Sequence, residues 1–341
     1  MSYKVAVIRG EGIGPEVIQA TVRILEAMAL PLEFINCPAG YSAWKKLGDP
    51  IPQDSWSILG EASVIFKGPA KTPVGPQTFK SVTVSLRQAF DLYANVRPMK
   101  TRHGVDSLQK DVDLIIMREN TEGLYVRMEE RLEDSARAVR LITRRASERI
   151  ARFAFEYATA SKRRRVTVCH KATVLPVTCG LFRESCLDVA RNYSSVRCDE
   201  MMIDTAAYNI VTAPQSLDIL LTTNLFGDIL SDVAAGVVGG LGLTPSANVG
   251  EVKAMFEPVH GTAEQIAGRN IANPTAAILS AAMMLKHLGL WDEAANLESA
   301  LNVVLAEGRA VTPDLKGNAS TTQMVDEIIS VLTRRPRRQE P

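Results

Sequence analysis

The chain has 341 residues, of which 46% are hydrophobic and 23% are charged, and its formal net charge is +1. This composition is ordinary for a globular protein, and the length favours two domains. The near-neutral charge excludes a global electrostatic attraction to nucleic acid or to an anionic membrane surface, so neither is expected as a partner.

The first predicted elements are a strand at residues 5–8, a turn with the sequence GEGIGPEV, and a helix at residues 15–29. Strand, glycine-rich turn and helix is also the order of a dinucleotide-binding loop. Such loops need the spacing Gly-x-Gly-x-x-Gly, with the third glycine inside the helix, whereas this turn reads Gly-x-Gly-x-Gly-Pro. Pro15 suits the first turn of a helix, and Glu16 is favourable at its positive end. The spacing therefore argues against a nucleotide held by this turn.

Later apolar runs are rich in Val, Ile and Leu, which is typical of buried strands. They predict strands at residues 62–66, 113–117, 166–169 and 217–221. Helical patterns lie between them, as at residues 147–160, where Ile150, Phe153, Ala154 and Tyr157 fall on one face. The alternation of strands and helices predicts an α/β fold with a substantially parallel sheet.

Three arginines in the first half of the chain are candidate anion-binding groups: Arg87, Arg97 and Arg118. Arg118 follows directly on a predicted strand, so its guanidinium group lies at a strand's carboxyl end, where α/β proteins bind ligands. Three ordinary surface arginines are the alternative interpretation.

Three aspartates are candidate metal ligands: Asp204, Asp228 and Asp232. Asp228 and Asp232 are four residues apart, so on a helix both carboxylates share one face. Their apolar neighbours argue against full solvation, and carboxylates so close repel each other unless a cation lies between them. Because no Cys or His joins them, the pattern favours Mg²⁺ or Mn²⁺ over zinc. Helix-capping aspartates on a surface turn are the alternative.

Two further side chains are candidates for proton transfer. Tyr125 follows the string RENTEGL, and Lys171 ends the predicted strand in VTVCHK. A lysine at a buried strand end among cations can have its pKa lowered into the range of a general base. Alternatively, Lys171 reaches solvent, which is the commoner fate of a lysine.

Neither the N-terminal sequence nor the cysteines indicate export. The first ten residues lack the apolar core of a signal peptide, and no stretch approaches the roughly eighteen apolar residues that span a bilayer. Five cysteines occur with no Cys-x-x-Cys pair. In a chain with no export signal, free thiols and a cytoplasmic location are expected.

The candidate residues lie in longer strings, among them SLRQAFDLYANVRP, RENTEGLYV, HKATVLP, NLFGDILSDVAAG and FEPVHGTAEQIAG. Taken together, these strings closely resemble the isocitrate, isopropylmalate and homoisocitrate dehydrogenases, which are metal-dependent β-decarboxylating dehydrogenases. The resemblance runs in colinear order from about residue 3 to about residue 329. Within that family the chain looks most like the NAD-type isocitrate dehydrogenases.

The resemblance implies an α/β fold of the isopropylmalate-dehydrogenase type, not a Rossmann fold, with two domains around a mixed sheet. The larger, cofactor-binding domain would comprise residues 1–95 and 240–341. The smaller would comprise residues 96–239 and carry the dimer interface, including a clasp at about residues 122–143. A homodimer with shared active sites would be the smallest active unit.

The resemblance also implies roles for the candidate residues. The arginines would bind carboxylates of a small 2-hydroxy acid, and the aspartates would hold Mg²⁺ or Mn²⁺, with the partner subunit's Asp204 completing the site. Lys171, also supplied by the partner, would be the base during hydride transfer, and Tyr125 would protonate the enolate that loss of CO₂ leaves. The implied cofactor-binding residues are Thr72, Asn224, His260, Gly261, Thr262, Ala263, Gln265, Ile266 and Asn273.

Substrate choice in this family depends on the residues before Arg87. Isopropylmalate enzymes usually place leucine where this chain has Thr83. Isocitrate enzymes have a serine where Ser81 stands and usually an asparagine where Thr83 stands, so Thr83 departs from both patterns. Both hydroxyls suit a third carboxylate, whereas a buried hydroxyl facing an isopropyl group would be left unpaired at roughly 1–3 kcal/mol. Isocitrate is therefore expected. Homoisocitrate, alone or together with isocitrate, is the next alternative, although Val84 offers no arginine for its longer arm, and 3-isopropylmalate follows.

The cofactor is expected to be NAD. NAD-dependent members have an aspartate where Gln265 stands, and NADP-dependent members often have Lys-Tyr at the positions of Gln265 and Ile266. This chain has neither pattern, so NADP is not excluded, but nothing here would bind a 2′-phosphate. A non-catalytic regulatory subunit is a less favoured alternative, because the implied catalytic and metal-binding residues are all present.

Overall fold

The computed structural model describes residues 2–73, 75 and 78–334. The basic C-terminal sequence RRPRRQEP, for which no nucleic-acid role is expected, lies outside the described residues from position 335 onward. Within the described part, no helix has both the length and the apolar character needed to cross a membrane.

Twelve strands are described. They are β1 (Tyr3–Ile8), β2 (Leu32–Asn36), β3 (Val64–Lys67), β4 (Ala94–Lys100), β5 (Asp113–Glu119), β6 (Glu129–Arg131), β7 (Ala136–Ala138), β8 (Arg165–His170), β9 (Arg197–Met202), β10 (Ile219–Thr222), β11 (Pro245–Val249) and β12 (Ala254–Pro258). The predicted strands at 5–8, 62–66, 113–117, 166–169 and 217–221 are confirmed, with boundaries that differ by up to two residues.

The helices alternate with these strands. They are α1 (Gly14–Ala27), α2 (Tyr41–Leu47), α3 (Gln53–Glu61), α4 (Val82–Ala89), α5 (Arg144–Ala160), α6 (Thr178–Ala190), α7 (Ile203–Thr212), α8 (Asn224–Val238), α9 (Thr275–His287), α10 (Trp291–Glu307) and α11 (Thr321–Arg334). The predicted helices at 15–29 and 147–160 correspond to α1 and α5. The latter begins earlier, because the Thr143 hydroxyl caps it by accepting the N–H of Ala146 at 3.2 Å.

Ten of the strands form one mixed sheet in the order β2-β1-β3-β12-β11-β4-β5-β10-β8-β9. The first four strands in this order are mutually parallel, and so are the last four. Between them, β11 and β4 are antiparallel to both of their neighbours, so the two parallel blocks run in opposite directions. The parallel sheet expected from the alternation is thus correct for each block, and the mixed sheet implied by the resemblance is correct for the whole.

The two faces of the sheet are covered differently. One face carries a continuous apolar core with α1, α5, α6, α9, α10 and α11. On the other face, α3 and α4 cover the β1–β3–β12 end, and α7 and α8 cover the β5–β10 end, as two separate apolar clusters. The middle of this second face, where β11 and β4 lie, is left between the clusters.

Polar side chains occupy that gap. Strand register places Asn95 opposite both Arg118 and Asn248, and Ser246 opposite Glu257, so all of them point from the same face. All five are buried. Burying so many polar groups is stable only if they are hydrogen-bonded or ion-paired, so we expect side-chain contacts to hold this strip of polar residues together.

The two smaller clusters lie on different sides of the predicted domain boundary. The α3–α4 cluster draws only on residues within 1–95 and 240–341, and the α7–α8 cluster only on residues within 96–239. The continuous core draws on both parts, because the sheet crosses the predicted boundary. The division into two domains stays a prediction.

The predicted clasp contains an exposed hairpin in which β6 pairs with β7 in antiparallel register. Every residue of both strands is exposed, and four large apolar side chains around them are also exposed: Met128, Leu132, Val139 and Leu141. An exposed apolar hairpin is suited to an interface. Its contact with a second subunit stays a prediction.

The glycine-rich turn before α1 is packed between two other loops. Its backbone N–H groups at Glu11 and Ile13 donate to the carbonyls of Pro69 and Thr262, each at 2.8 Å. A Cβ on Gly12, where φ is +59°, would lie 1.9 Å from the Thr262 carbonyl oxygen. Glycine is therefore required for close backbone approach, which joins this turn to the loop that carries the implied cofactor residue Thr262.

Candidate active site

A cavity of about 260 Å³ lies over the polar strip, between the two small apolar clusters. It brings together many of the residues predicted from the sequence. Those that line it are Ser81, Thr83, Arg87, Arg97, Arg118, Tyr125, Asp228, His260 and Gly261. The implied substrate-binding residues thus share one cavity with the start of the implied cofactor loop.

Arg118, near the end of β5, is 1% exposed, and each nitrogen of its guanidinium group has a partner. Its Nε and Nη2 donate to Oδ1 of Asn224 at 3.1 and 2.6 Å, and its Nη1 forms an ion pair with Asp228. Asn224 and Asp228 both lie on α8, which approaches β5 so closely that a Cβ on Gly227 would stand 2.8 Å from Cβ of Arg118. Asn224 orients Arg118 by accepting both of these hydrogen bonds, and its implied role in binding the cofactor stays a prediction.

Arg97 is the second buried cation of the cavity. Its Nε donates to Oδ1 of Asn95 at 2.7 Å, and its Nη1 donates to Ser231 at 2.5 Å and to Asp228 at 3.3 Å. Burial and the neighbouring Arg118 lower the pKa of Arg97 to about 10. The side chain therefore remains protonated at neutral pH and offers a fixed positive charge to an anion.

Tyr125 and Asp228 form a short hydrogen bond at the wall of the cavity. The Tyr125 hydroxyl donates to Oδ2 of Asp228 at 2.5 Å, and the phenol ring lies 5.0 Å from the Arg118 guanidinium group. Burial raises the pKa of Tyr125, so the phenol stays protonated. Burial also tends to raise the pKa of Asp228, but Arg118 and Arg97 outweigh it and hold that carboxyl below its ordinary value. The pair therefore joins a protonated phenol to a carboxylate.

The floor of the cavity contains an ion cluster that sequence reasoning missed. Nζ of Lys67 lies 2.6 Å from Oε2 of Glu257, and Nη2 of Arg87 lies 3.3 Å from Oε1 of the same carboxylate. Burial alone would raise the pKa of Glu257, but Lys67 and Arg87 lower it to about 2. Lys67 and Glu257 are far apart in the sequence, and only the pairing of β3 with β12 reveals that they meet.

Asparagine side chains connect the two ends of the polar strip. Nδ2 of Asn95 donates to Oδ1 of Asn248 at 2.8 Å, and Nδ2 of Asn248 donates to Oε1 of Glu257 at 3.0 Å. Because Asn95 also accepts from Arg97, a continuous hydrogen-bonded chain runs from Arg97 to Lys67. Such a network fixes the cations before any ligand arrives, which favours recognition of a fixed arrangement of carboxylates.

The remaining implied catalytic groups lie elsewhere in the single chain. Nζ of Lys171 pairs with Oδ1 of Asp204 at 2.6 Å on an exposed surface, and neither residue lines the cavity. Asp232 is exposed on α8, one turn beyond Asp228. Within residues 2–73, 75 and 78–334 of one chain, no three His, Cys, Asp or Glu side chains are grouped closely enough to hold a metal ion.

The donor chemistry nevertheless fits a hard divalent cation when two chains are considered. Asp228 and Asp232 supply carboxylate oxygens from one helix, and Asp204 carries a third carboxylate on the exposed surface. That Asp204 and Lys171 act in the partner's site stays an expectation from the family resemblance. The metal site stays a prediction.

The implied cofactor loop follows β12 and begins in the cavity. His260 is buried, its Nδ1 lies 3.0 Å from the Gly261 carbonyl oxygen, and its Nε2 has no partner among the described residues. Nδ2 of Asn273, also buried, donates to Asp314 at 2.9 Å, whereas Gln265 is exposed. A buried ring nitrogen without a partner fits a loop that receives a polar ligand.

The second implied cofactor segment, which contains Thr72, lies against this loop. Nζ of Lys71 pairs with Glu264 at 2.7 Å, and the Lys71 N–H donates to Glu11 at 2.8 Å. The next implied residues of the loop do not line the cavity itself; they are Thr262, Ala263, Gln265 and Ile266, within five residues after Gly261. Of the residues named for the cofactor, His260 and Gly261 therefore line the cavity, and Asn224 contacts it through Arg118. The cofactor roles of all of them stay predictions.

Comparison with known proteins agrees with this geometry. A family model described as isocitrate/isopropylmalate dehydrogenase matches residues 4–328. A 3-isopropylmalate dehydrogenase of Methanothermobacter thermautotrophicus is 49% identical, with 96% of this chain and 98% of the relative covered. An isocitrate/homoisocitrate dehydrogenase of Thermus thermophilus is 46% identical, with 97% and 99% covered. A crystal structure of an isocitrate dehydrogenase from Methylococcus capsulatus superposes with a TM-score of 0.94 at 44% identity, covering 97% of this chain and 99% of that one.

Proposed function

The chain belongs to the isocitrate/isopropylmalate dehydrogenase family, and from this premise we propose that it oxidises and decarboxylates isocitrate to 2-oxoglutarate and CO₂ with NAD. The reaction would need Mg²⁺ or Mn²⁺ and a homodimer with shared sites. Membership of this family makes the chain an oxidoreductase. The substrate, the cofactor and the assembly are the parts that we propose.

The observation that carries the proposal is the composition of the cavity. Four buried cations, Lys67, Arg87, Arg97 and Arg118, face only two lining carboxylates, Asp228 and Glu257. The excess positive charge favours a substrate with several carboxylates, and the fixed guanidinium groups can bind them by paired charge-assisted hydrogen bonds. A neutral or cationic substrate would leave that charge uncompensated.

Proton transfer would be divided between Tyr125 and Lys171. A divalent cation at Asp228, Asp232 and the partner subunit's Asp204 would act as a Lewis acid on the oxygen of the substrate. Tyr125, protonated and bonded to Asp228, would protonate the carbon from which CO₂ leaves. Lys171 would reach from the partner to accept the hydroxyl proton.

Hydroxyl groups favour isocitrate over 3-isopropylmalate. Ser81 directly precedes α4, and its side chain makes no capping hydrogen bond, while Thr83 lies in the first turn of that helix. Both residues line the cavity, so both hydroxyls can bond a third carboxylate. An isopropyl group in the same place would leave them without partners.

3-Isopropylmalate is the second candidate, and two observations favour it. The charge of Lys67 is already balanced by Glu257, and Val84 and Ala70 add apolar surface to the cavity. Several of the relatives with high identity are also named 3-isopropylmalate dehydrogenases. Homoisocitrate, alone or in addition to isocitrate, follows from the Thermus thermophilus relative.

NAD is proposed as the cofactor because Gln265 is exposed and neither it nor Ile266 supplies a positive charge for a 2′-phosphate. NADP is the alternative that the same residue leaves open. A cytoplasmic location is also proposed, on the ground that all five cysteines are free thiols in the structure.

The test is to measure kcat/KM for isocitrate, homoisocitrate and 3-isopropylmalate, each with NAD and with NADP. We expect isocitrate with NAD to lead and EDTA to abolish turnover until Mg²⁺ is restored. Faster turnover of 3-isopropylmalate would replace the first candidate with the second. Absence of turnover with all three acids would instead favour a regulatory subunit.

A further inference from the structure

The turn that carries Lys171 is fixed by the residue before it. His170 ends β8 and is 3% exposed, and its Nδ1 accepts a hydrogen bond from the backbone N–H of Ala172 at 3.2 Å. The Lys171 carbonyl accepts from the N–H groups of Val174 and Leu175 at 3.1 and 2.9 Å. The peptide group between Lys171 and Ala172, directly after β8, is thus fixed through both its N–H and its carbonyl oxygen.

The imidazole acts in one protonation state. Because Nδ1 accepts a hydrogen bond, the ring proton lies on Nε2, which faces Glu200 on β9 at 4.0 Å. Arg183 on α6 binds that carboxylate through Nε at 2.6 Å and so takes up its charge. Burial lowers the pKa of His170, with Glu200 opposing and Arg183 adding to the shift. The neutral ring is therefore the form that meets the Ala172 N–H.

We propose that His170 is a positioning residue for Lys171. Its Nδ1 fixes the backbone at Ala172 and thereby the direction in which the Lys171 side chain leaves the sheet. The inference rests on the proposed function, in which Lys171 acts as a base in the site of a second copy of the chain. A long, flexible side chain that must reach across an interface depends on a fixed starting direction, since a misplacement of about 1 Å can cost about 10²-fold in rate.

Two substitutions of His170 distinguish the role of Nδ1 from that of Nε2. His170→Asn places an amide oxygen where Nδ1 lies and keeps the acceptor for Ala172. His170→Gln places its polar atoms near Nε2 and leaves the Ala172 N–H without a partner. We expect His170→Gln to lower kcat by about tenfold or more with KM within about twofold, and His170→Asn to keep kcat within about threefold of wild type. Any other order of the two kcat values overturns the proposal.

A second measurement tests whether His170 acts through Lys171. In a Lys171→Ala background, adding His170→Gln should change the residual kcat by less than about twofold, because the group being positioned is gone. A further loss of about tenfold would show an independent role and overturn the proposal. Thermal melting of both His170 variants provides the folding control, since a shared drop in Tm cannot produce a difference between them.

The same experiments distinguish failure of the inference from failure of the proposed function. Wild-type turnover with equal kcat in both His170 variants refutes the positioning role alone. Absence of wild-type turnover with isocitrate, homoisocitrate and 3-isopropylmalate refutes the proposed function and the inference with it.

Discussion

Nζ of Lys67 lies 2.6 Å from Oε2 of Glu257, although 190 residues of the chain separate the two and both are buried. They meet because β3 pairs with β12, which places the carboxyl ends of two parallel strands side by side. Arg87 contacts the other oxygen of the same carboxylate at 3.3 Å. Glu257 therefore balances the charge of Lys67 and also orients a cation implied in substrate binding.

Lys67→Met should destabilise the folded protein by about 3–5 kcal/mol at pH 7, because it leaves the Glu257 carboxylate buried beside only one cation. The double variant Lys67→Met/Glu257→Gln should lose distinctly less unfolding free energy than the sum of the losses in the two single variants. Urea unfolding of the four proteins measures the coupling. Additive losses would contradict a stabilising pair.

Thr83→Leu should shift the ratio of kcat/KM from isocitrate toward 3-isopropylmalate by at least about tenfold. The substitution removes a hydroxyl that lines the cavity and adds apolar surface in its place. Ser81→Ala is the companion variant, which removes a hydroxyl without adding apolar surface. It should weaken binding of isocitrate and leave binding of 3-isopropylmalate unchanged. An unchanged ratio in Thr83→Leu would mean that the group distinguishing the two acids, a third carboxylate or an isopropyl group, does not contact Thr83.

Acid should weaken the ligand-free protein through its buried histidines. Burial lowers the pKa of His260 and of His170 below the ordinary 6.5. As the pH falls through 6.5, the unfolded chain takes up protons that the folded chain excludes, so stability is lost by up to about 1.4 kcal/mol per pH unit for each histidine. Urea unfolding between pH 7.5 and 5.5 measures this slope. His260→Gln should reduce this dependence of stability on pH. The same slope in His260→Gln as in wild type would mean that other groups cause the dependence.

The parts of the fold that depend on local sequence could be predicted, and those that depend on strand order could not. The apolar run of β5 located Arg118 at a strand end, and Pro15 located the start of α1, because each signal lies within a few residues. The contacts Lys67–Glu257 and Asn95–Asn248 require knowing that β3 neighbours β12 and that β11 neighbours β4. Periodicity identifies strands but does not order them.

The metal and base residues show a different limit. The spacing of Asp228 and Asp232 indicated a shared helix face, and α8 confirms it, yet Asp204 and Lys171 pair with each other on an exposed surface. Only the family resemblance supplied the expectation that they serve a second copy of the chain. A site divided between subunits leaves no local signature in one sequence.

Tyr125→Phe should lower kcat by about 10²-fold or more while changing KM little, because it removes the only proton of the Tyr125–Asp228 pair and leaves the ring in place. Stopped-flow measurement of NADH formation and of CO₂ release would separate the two chemical steps. The loss should fall on protonation after decarboxylation, so a burst of NADH should remain. Disappearance of that burst would assign Tyr125 to the hydride step instead.

Gly227→Ala should disrupt the contact between α8 and β5. Its Cβ would lie 2.3 Å from the Thr222 hydroxyl oxygen and 2.8 Å from Cβ of Arg118, so the helix must shift away from the strand. Such overpacking costs about 1–3 kcal/mol and would displace the partners of Arg118, raising KM for the acid substrate. Gly236→Ala is the matched control on the same helix, because a Cβ there meets nothing within 4 Å and alanine favours the helix by up to about 1 kcal/mol. Opposite changes in Tm for the two variants would confirm that close approach, and not helix propensity, requires Gly227. A similar increase in Tm for both variants would contradict this, because it would mean that the sheet moves at Arg118 to accommodate the added methyl group.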